Sequence, residues 1–242
     1  MAEHAIVIID PRGKIYDAAP GQGFAHRLLE QSLYEDMCVL FNSAKRLADS
    51  DADSPLKNAQ EQAFCRSALT AAFNFVEAYL NGIAVDYLSA HHQTVSEGHR
   101  MELSEWDHVK QRSRFLSLKD KLVRYPRIVL GAKHPPLTED NCQELKFIVQ
   151  QAKLTRDAIV HPSPAPDPRT LDLAKYTAVD LANICETQLV VDNAVSLVRR
   201  LDMTIHGSDR RVSVWLHERD KDGYFSLGVF AGMKPEVTAI GV

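Results

Sequence analysis

The stretch Ser67-Ala68-Leu69-Thr70-Ala71-Ala72-Phe73-Asn74-Phe75-Val76-Glu77-Ala78-Tyr79-Leu80-Asn81-Gly82-Ile83-Ala84-Val85-Asp86-Tyr87-Leu88 decides the fold. Wound at 3.6 residues per turn, Phe73, Phe75, Val76, Tyr79, Leu80 and Ile83 cover nearly the whole circumference of a helix. A helix that is apolar all round belongs at the centre of a bundle. Asn74, Glu77, Asn81 and Asp86 interrupt the run, so it does not read as a transmembrane span, and no membrane partner is expected. The helix is expected from about Leu56 to Ala90.

The flanking sequence supplies helices to cover it. From Phe24 to Leu47, Leu28, Leu29, Leu33, Met37, Leu40, Phe41, Ala44 and Leu47 recur every three or four residues, which predicts an amphipathic helix. Asp49-Ser50-Asp51-Ala52-Asp53-Ser54-Pro55 stops it. His91 to Glu102 is polar and reads as a loop. Ser104-Glu105-Trp106-Asp107 begins a further helix that reaches about Leu122, with Tyr125-Pro126 as its stop. Thr138-Glu139-Asp140-Asn141 reads as the cap of a helix running to Val160, and a last long helix is expected from Leu173 to Leu201.

Short β-hairpins are expected at both ends. Ala5 to Ile9 and a return strand from Ile15 flank the turn Asp10-Pro11-Arg12-Gly13. Val212, Val214 and Leu216 alternate with polar neighbours, Asp220-Lys221-Asp222-Gly223 turns, and Phe225, Leu227 and Val229 alternate again. The reading is a mainly α protein of one compact domain. It has an N-terminal hairpin over residues 1–20, an antiparallel helical bundle over 21–206 and a C-terminal hairpin appendage over 207–242.

Composition narrows the function classes. The chain has 242 residues, 45% hydrophobic and 25% charged, which is an ordinary globular mix and excludes a disordered or collagen-like chain. The formal net charge is −4, so the molecule as a whole is no electrostatic nucleic-acid binder, although a local basic pocket is compatible with it. No basic segment precedes the first apolar run, so a signal peptide is not expected. Cys38, Cys65, Cys142 and Cys185 lie far apart and read as buried thiols of a cytoplasmic protein.

The candidate chemistry lies in Leu154-Thr155-Arg156-Asp157-Ala158-Ile159-Val160-His161-Pro162. Pro162 disfavours α-conformation at His161, which places that residue at a helix C-terminus, where the dipole favours an imidazolium. Five residues of regular helix separate Arg156 from His161 by about 140° of rotation and about 7.5 Å of rise. Both side chains can border one cleft, because Arg is long and a last turn distorts. A His that titrates near neutral pH can take the proton of a ribose 2′-hydroxyl. An always-charged Arg fork can hold a phosphate and stabilise the charge of the transition state. A two-fold dimer would bring a second His161 to protonate the leaving oxygen. The same residues also fit a structural role, with Arg156 pairing a carboxylate and His161 capping terminal carbonyls.

With these residues, Phe73-Asn74-Phe75-Val76-Glu77-Ala78-Tyr79-Leu80-Asn81-Gly82-Ile83 and the order of long antiparallel helices, the chain over about 24–205 resembles the HEPN domain family. The resemblance implies an all-α bundle, commonly a homodimer with a cleft at its interface. It further implies a metal-independent endoribonuclease that leaves a 2′,3′-cyclic phosphate, or an inactive relative that binds nucleotide, RNA or a protein partner. Arg156 and His161 match the family's catalytic pair and Asp157 the polar residue after the Arg. Glu77 and Asn81 match its second-helix polar residues by context. An antitoxin or regulatory protein is a further partner that such family members have. A modified Tyr found two residues after the His in one branch is Ser163 here, so that regulation is not carried over.

No cofactor and no metal are expected. His91, His92, His99 and His108 lie among Glu97, Glu102, Glu105 and Asp107, but lack zinc-ligand spacing and read as a solvated loop. Trp106 and Trp215 read as packing residues.

Overall fold

In a computed structural model, residues 29–51, 54–107, 109–160, 182–207, 212 and 215–226 are described, together with the backbone of 7–9 and 15–17. The protein is mainly helical. The helix α1 spans Leu29–Ala48 and α2 spans Pro55–Ala90. Ser54 caps α2 by accepting from the Lys57 amide at 3.1 Å, and Pro55 follows at the position where its missing N–H costs nothing. Ala68, Leu69, Ala72, Phe75, Val76, Tyr79 and Leu80 of α2 are fully buried. This helix is long and apolar enough to span a bilayer, yet 67% of its most apolar window is buried against the rest of the protein. Its apolar circumference is explained by a central place in the bundle.

The covering elements come in order along the chain. The short α3 spans Glu97–Leu103, and β3 (Trp106–Asp107) and β4 (Arg112–Ser113) form an antiparallel hairpin. The α4 helix spans Leu118–Val129 and α5 spans Gln143–Lys146. A π-helical turn over Phe147–Ala152 leads into α6 (Lys153–Val160), and α7 spans Ile184–His206. At the N-terminus, β1 (Val7–Ile9) pairs antiparallel with β2 (Ile15–Asp17), with Ile8 opposite Tyr16. The expected turn between them lies outside the described residues.

Several expectations are corrected. The polar stretch 91–102 contains α3, which Ser96 caps through the His99 amide. No helix starts at Ser104. Asp107 Oδ1 instead accepts from the amides of Val109 and Lys110 and folds the chain into the hairpin. Pro126 lies inside α4 rather than after it. Fully buried Tyr125 and Ile128, at 3% exposure, hold the helix together across the missing amide. Thr138 and Asn141 close a turn, so the next helix begins at Gln143. The last long helix starts at Ile184, capped by Asn183 through the Glu186 amide, and runs on to His206.

The described part of the C-terminal segment packs into the core. Among the described residues it forms no strand, only a bridge between Arg219 and Phe225 around the turn at Asp220–Gly223. Val212, Trp215, Leu216 and Phe225 are buried in the main core. Phe225 meets the rings of Tyr34 and Phe41 edge-on, with centroids 6.1 and 5.8 Å away. Buried Asn42 donates to the Phe225 carbonyl and accepts from its amide, both at 2.9 Å. Tyr34 donates to the His217 carbonyl at 2.9 Å and accepts from its amide at 3.0 Å. Arg219 Nε donates to Asp192 Oδ1 of α7 at 2.9 Å. The described part of this segment, 215–226, therefore forms a strap anchored across α1 and α7. Leu227 and Val229 lie outside the described residues.

Cys38, Cys65 and Cys142 are buried as expected, whereas Cys185 is exposed on the first turn of α7. Burial pushes the Cys38 thiol up to about 12 and raises Cys65 and Cys142. Because the thiolate is the nucleophile, native protein treated with iodoacetamide at about pH 8 is expected to carry label on Cys185 alone. Label should appear on all four cysteines in urea; early label on Cys38, read by peptide mass spectrometry, would show an open core. Asn42→Ala strands two buried backbone groups, each costing roughly 1–3 kcal/mol, and is expected to destabilise by about 3 kcal/mol in urea unfolding.

Candidate functional site

The helical path to Arg156 is set by the π-helical turn. Leu145, Ile148 and Ala152 are buried, and the next buried position is Ala158, six residues on. A π turn adds one residue to the helical path and so rotates the rest of the helix by about 100°. Ala158 thereby faces α2, and Leu154 is 69% exposed.

Arg156 lies on α6 with its guanidinium carbon 5.3 Å from the centroid of the Phe73 ring on α2. Its side chain is 23% exposed, and Nη1 is 2.9 Å from Asp157 Oδ1. Its Nε is buried without a hydrogen-bond partner. Asp157 is also paired with Lys153, one turn earlier. Among the described residues two cations thus share one carboxylate, so Lys153, Asp157 and Arg156 together carry net positive charge. The ring fixes the guanidinium through cation–π attraction, and among the described residues Nε is left without an acceptor. This arrangement suits an oxyanion such as a phosphodiester. His161 follows Val160, the last residue of α6, and lies outside the described residues. A groove of about 760 Å³ between α1 and α2 reaches Ile159 beside this helix end. Leu33, Leu40 and Ala71 wall it, and Asp36, Arg66 and Asn74 line it as well.

Glu77 and Asn81 turn to a different partner. Lys121 of α4 is 3% exposed and donates to Glu77 Oε1 at 2.7 Å and to Asn81 Oδ1 at 3.2 Å. It is also paired with Glu105, which accepts from Tyr125 Oη at 3.3 Å and from the Leu116 amide at 3.1 Å. Burial, and then the Glu105 charge, raise the Tyr125 phenol, which stays a neutral donor. Among the described residues, no hydrogen bond or ion pair joins Glu77 or Asn81 to Arg156 or Asp157. Glu77 thus balances, with Glu105, the charge of a buried ammonium between α2 and α4, and Asn81 accepts one of its hydrogen bonds.

Lys121 is the residue that sequence reasoning missed. Its signal was its place on the stripe Leu118, Lys121, Leu122, Tyr125 and Ile128, where a cation falls among apolar positions of an amphipathic helix. Of the histidines read as a solvated loop, His91 stacks on the Tyr87 ring with centroids 4.2 Å apart at the end of α2, and His108 lies outside the described residues. Trp215 is buried at 6% exposure, its indole N–H without a hydrogen-bond partner, while Trp106 is half-buried.

Compared with family models, with curated proteins and with solved structures, the chain matches none.

Removing one partner of a buried ion pair costs about 3–5 kcal/mol. Glu77 and Glu105 keep side-chain exposures of 40% and 23%, which lets water repay part of the loss. Lys121→Met is therefore expected to destabilise by about 3 kcal/mol, the low end of that range. In a urea double-mutant cycle with Glu77→Gln, the loss in the double variant should fall short of the sum of the two single losses; strict additivity would show that the pair does not interact.

Proposed function

We propose that the protein is a metal-independent endoribonuclease of the HEPN type, acting as a homodimer on RNA through Arg156 and His161. The observation that carries this reading is the Arg156 guanidinium, fixed on the Phe73 ring with a buried Nε that has no partner. A purely structural arginine at that depth would be expected to have its donors filled. The positive balance of Lys153, Arg156 and Asp157 supports a phosphate ligand. Leu154 and Val160, 69% and 42% exposed on the same helix, support a contact with a second copy.

In this reading His161 takes the proton of the ribose 2′-hydroxyl. The 2′-oxygen attacks phosphorus, the bond from phosphorus to the 5′-oxygen breaks, and the partner subunit's His161 protonates that oxygen. The products are a 2′,3′-cyclic phosphate and a 5′-hydroxyl. Arg156 binds the non-bridging oxygens and stabilises the charge that builds on them. Asp157 holds the Arg156 fork in place.

A second reading is favoured by the engagement of Glu77 and Asn81 with Lys121. It is a catalytically inactive HEPN-like module that binds nucleotide, RNA or a protein partner. RNA cleavage in EDTA separates the two. Wild type is expected to cut and to leave cyclic phosphate ends detectable by mass spectrometry. Arg156→Ala and His161→Ala should each lose about 10²-fold or more in rate. Absence of cleavage on every RNA tried would transfer the assignment to the inactive module.

A further inference from the structure

The hairpin between α3 and α4 takes no part in the proposed cleavage, and its construction is unusual. Glu105 and Gln111 both have φ of 50°, and among the described residues they are the non-glycine positions in the left-handed region. Neither residue type settles there unaided. The surrounding hydrogen bonds impose the shape. The Arg114 amide donates to the Glu105 carbonyl at 2.7 Å, and Asp107 holds the amides of Val109 and Lys110 at 3.0 and 2.9 Å. Pairing of Trp106 with Ser113 and of Asp107 with Arg112 completes the frame.

This rigid frame presents side chains that the fold does not need. Phe115 is 93% exposed and Val109 83%, the two most exposed large apolar side chains among the described residues. Lys110 and Arg112 are exposed and Arg114 is half-buried. Three cations thus share one short segment with a bare aromatic ring. No carboxylate among the described residues lies within ion-pair distance of these cations. Glu105 is engaged by Lys121, Tyr125 and Leu116; Asp107, held by the turn amides, stays ionised and its charge acts on Lys110 and Arg112, so residues 105–115 set three cations against two carboxylates. A chain of net charge −4 therefore carries a local patch of opposite sign.

Cations spaced along a strand beside an exposed aromatic ring match single-stranded nucleic acid. Phosphates take the charges, and a base stacks on the ring without regard to its identity. The patch fits other partners less well. The groove between α1 and α2 does not reach it, and two apolar side chains without an amphipathic helix make a weak membrane anchor. We propose that the 105–115 hairpin is a contact surface for single-stranded RNA, with Phe115 stacking on a base and Lys110, Arg112 and Arg114 holding phosphates. The choice of RNA over DNA rests on the ribonuclease reading; the contact surface itself does not.

The test uses the full chain carrying Arg156→Ala, so that RNA stays intact, and a fluorescein-labelled oligouridine read by anisotropy. Phe115→Ser, and separately the pair Lys110→Ser with Arg112→Ser, are each expected to weaken binding about tenfold or more. The pair should lower the slope of log affinity against log salt by about 1.4, at roughly 0.7 for each phosphate no longer neutralised, while Phe115→Ser leaves the slope unchanged. All these side chains are exposed, so melting temperatures should stay within about 2 °C of the parent. A measurement without hairpin variants guards against misfolding: bound oligouridine should shield Lys110, but not Lys221, from acylation by an amine-reactive ester.

Parent-like binding by the variants, absence of binding by the parent, or acylation of Lys110 unchanged by RNA would each overturn the proposal. So would tighter binding to the matching DNA, or Phe115-dependent capture by phosphatidylserine vesicles without RNA binding. Cleavage that depends on Arg156 but ignores the hairpin overturns this inference alone. Hairpin-dependent binding without cleavage overturns the ribonuclease reading alone.

Discussion

The apolar circumference of α2 between Ala68 and Ala84 has to leave water on every side, and no single neighbour can cover it. Each face therefore recruits a different element. Phe75 of α2 shares one cluster with Tyr34, Met37 and Phe41 of α1, Val191 and Leu197 of α7, Leu122 of α4 and Trp215 of the C-terminal strap. This requirement explains why the strap lies in the core. Trp215 stands 6.2 Å from the Phe75 ring, so a segment that alternates like an exposed strand is instead drawn down to finish the cover. It also explains Lys121. Once α4 lies on α2, Lys121 is enclosed at that contact, and half-exposed Glu77 and Asn81 beside it offset the desolvation of the ammonium.

Elements dominated by periodic burial were legible in the sequence. The central helix was expected from Leu56 to Ala90 and spans Pro55–Ala90, and the end of α1 at Ala48 differs from expectation by one residue. Elements decided by local hydrogen bonding were not. Asp107 can cap a helix or fold a turn, and only the partner amides decide which. The π-helical turn over Phe147–Ala152 has no compositional signature, because its sequence is that of an ordinary amphipathic helix. Pro126 misled for a related reason. Its rule concerns the backbone alone, while Tyr125 and Ile128 on either side are anchored by packing that the rule does not see.

The candidate site divides along the same line. Arg156 and Asp157 stood out by type and by their place near a helix end, and the structure brings them together with Lys153 and Phe73. The Phe73 contact was not visible from spacing, because Phe73 comes from α2, whereas the i,i+4 pair of Lys153 and Asp157 follows from their spacing on α6. Glu77 and Asn81 were chosen for their context on the second helix, and context carries no information about which way a side chain is satisfied. Lys121 satisfies them, a residue whose only advertisement was its position on an apolar stripe.

These cations differ in what is left of them after folding. Lys121 has an oxygen from Glu77, Asn81 and Glu105 for each of its three donors, so it has nothing to offer a ligand. Arg156 has one carboxylate, which it shares, and a ring that orients it without using its N–H groups. Lys110 and Arg112 keep their donors in water on a backbone held in shape by other bonds. The net charge of −4 does not describe any of these places, since free charges are screened within about 8 Å at physiological salt. What a polyanion meets is the local sign and the donors that folding has left unfilled, as on α6 and on the 105–115 hairpin.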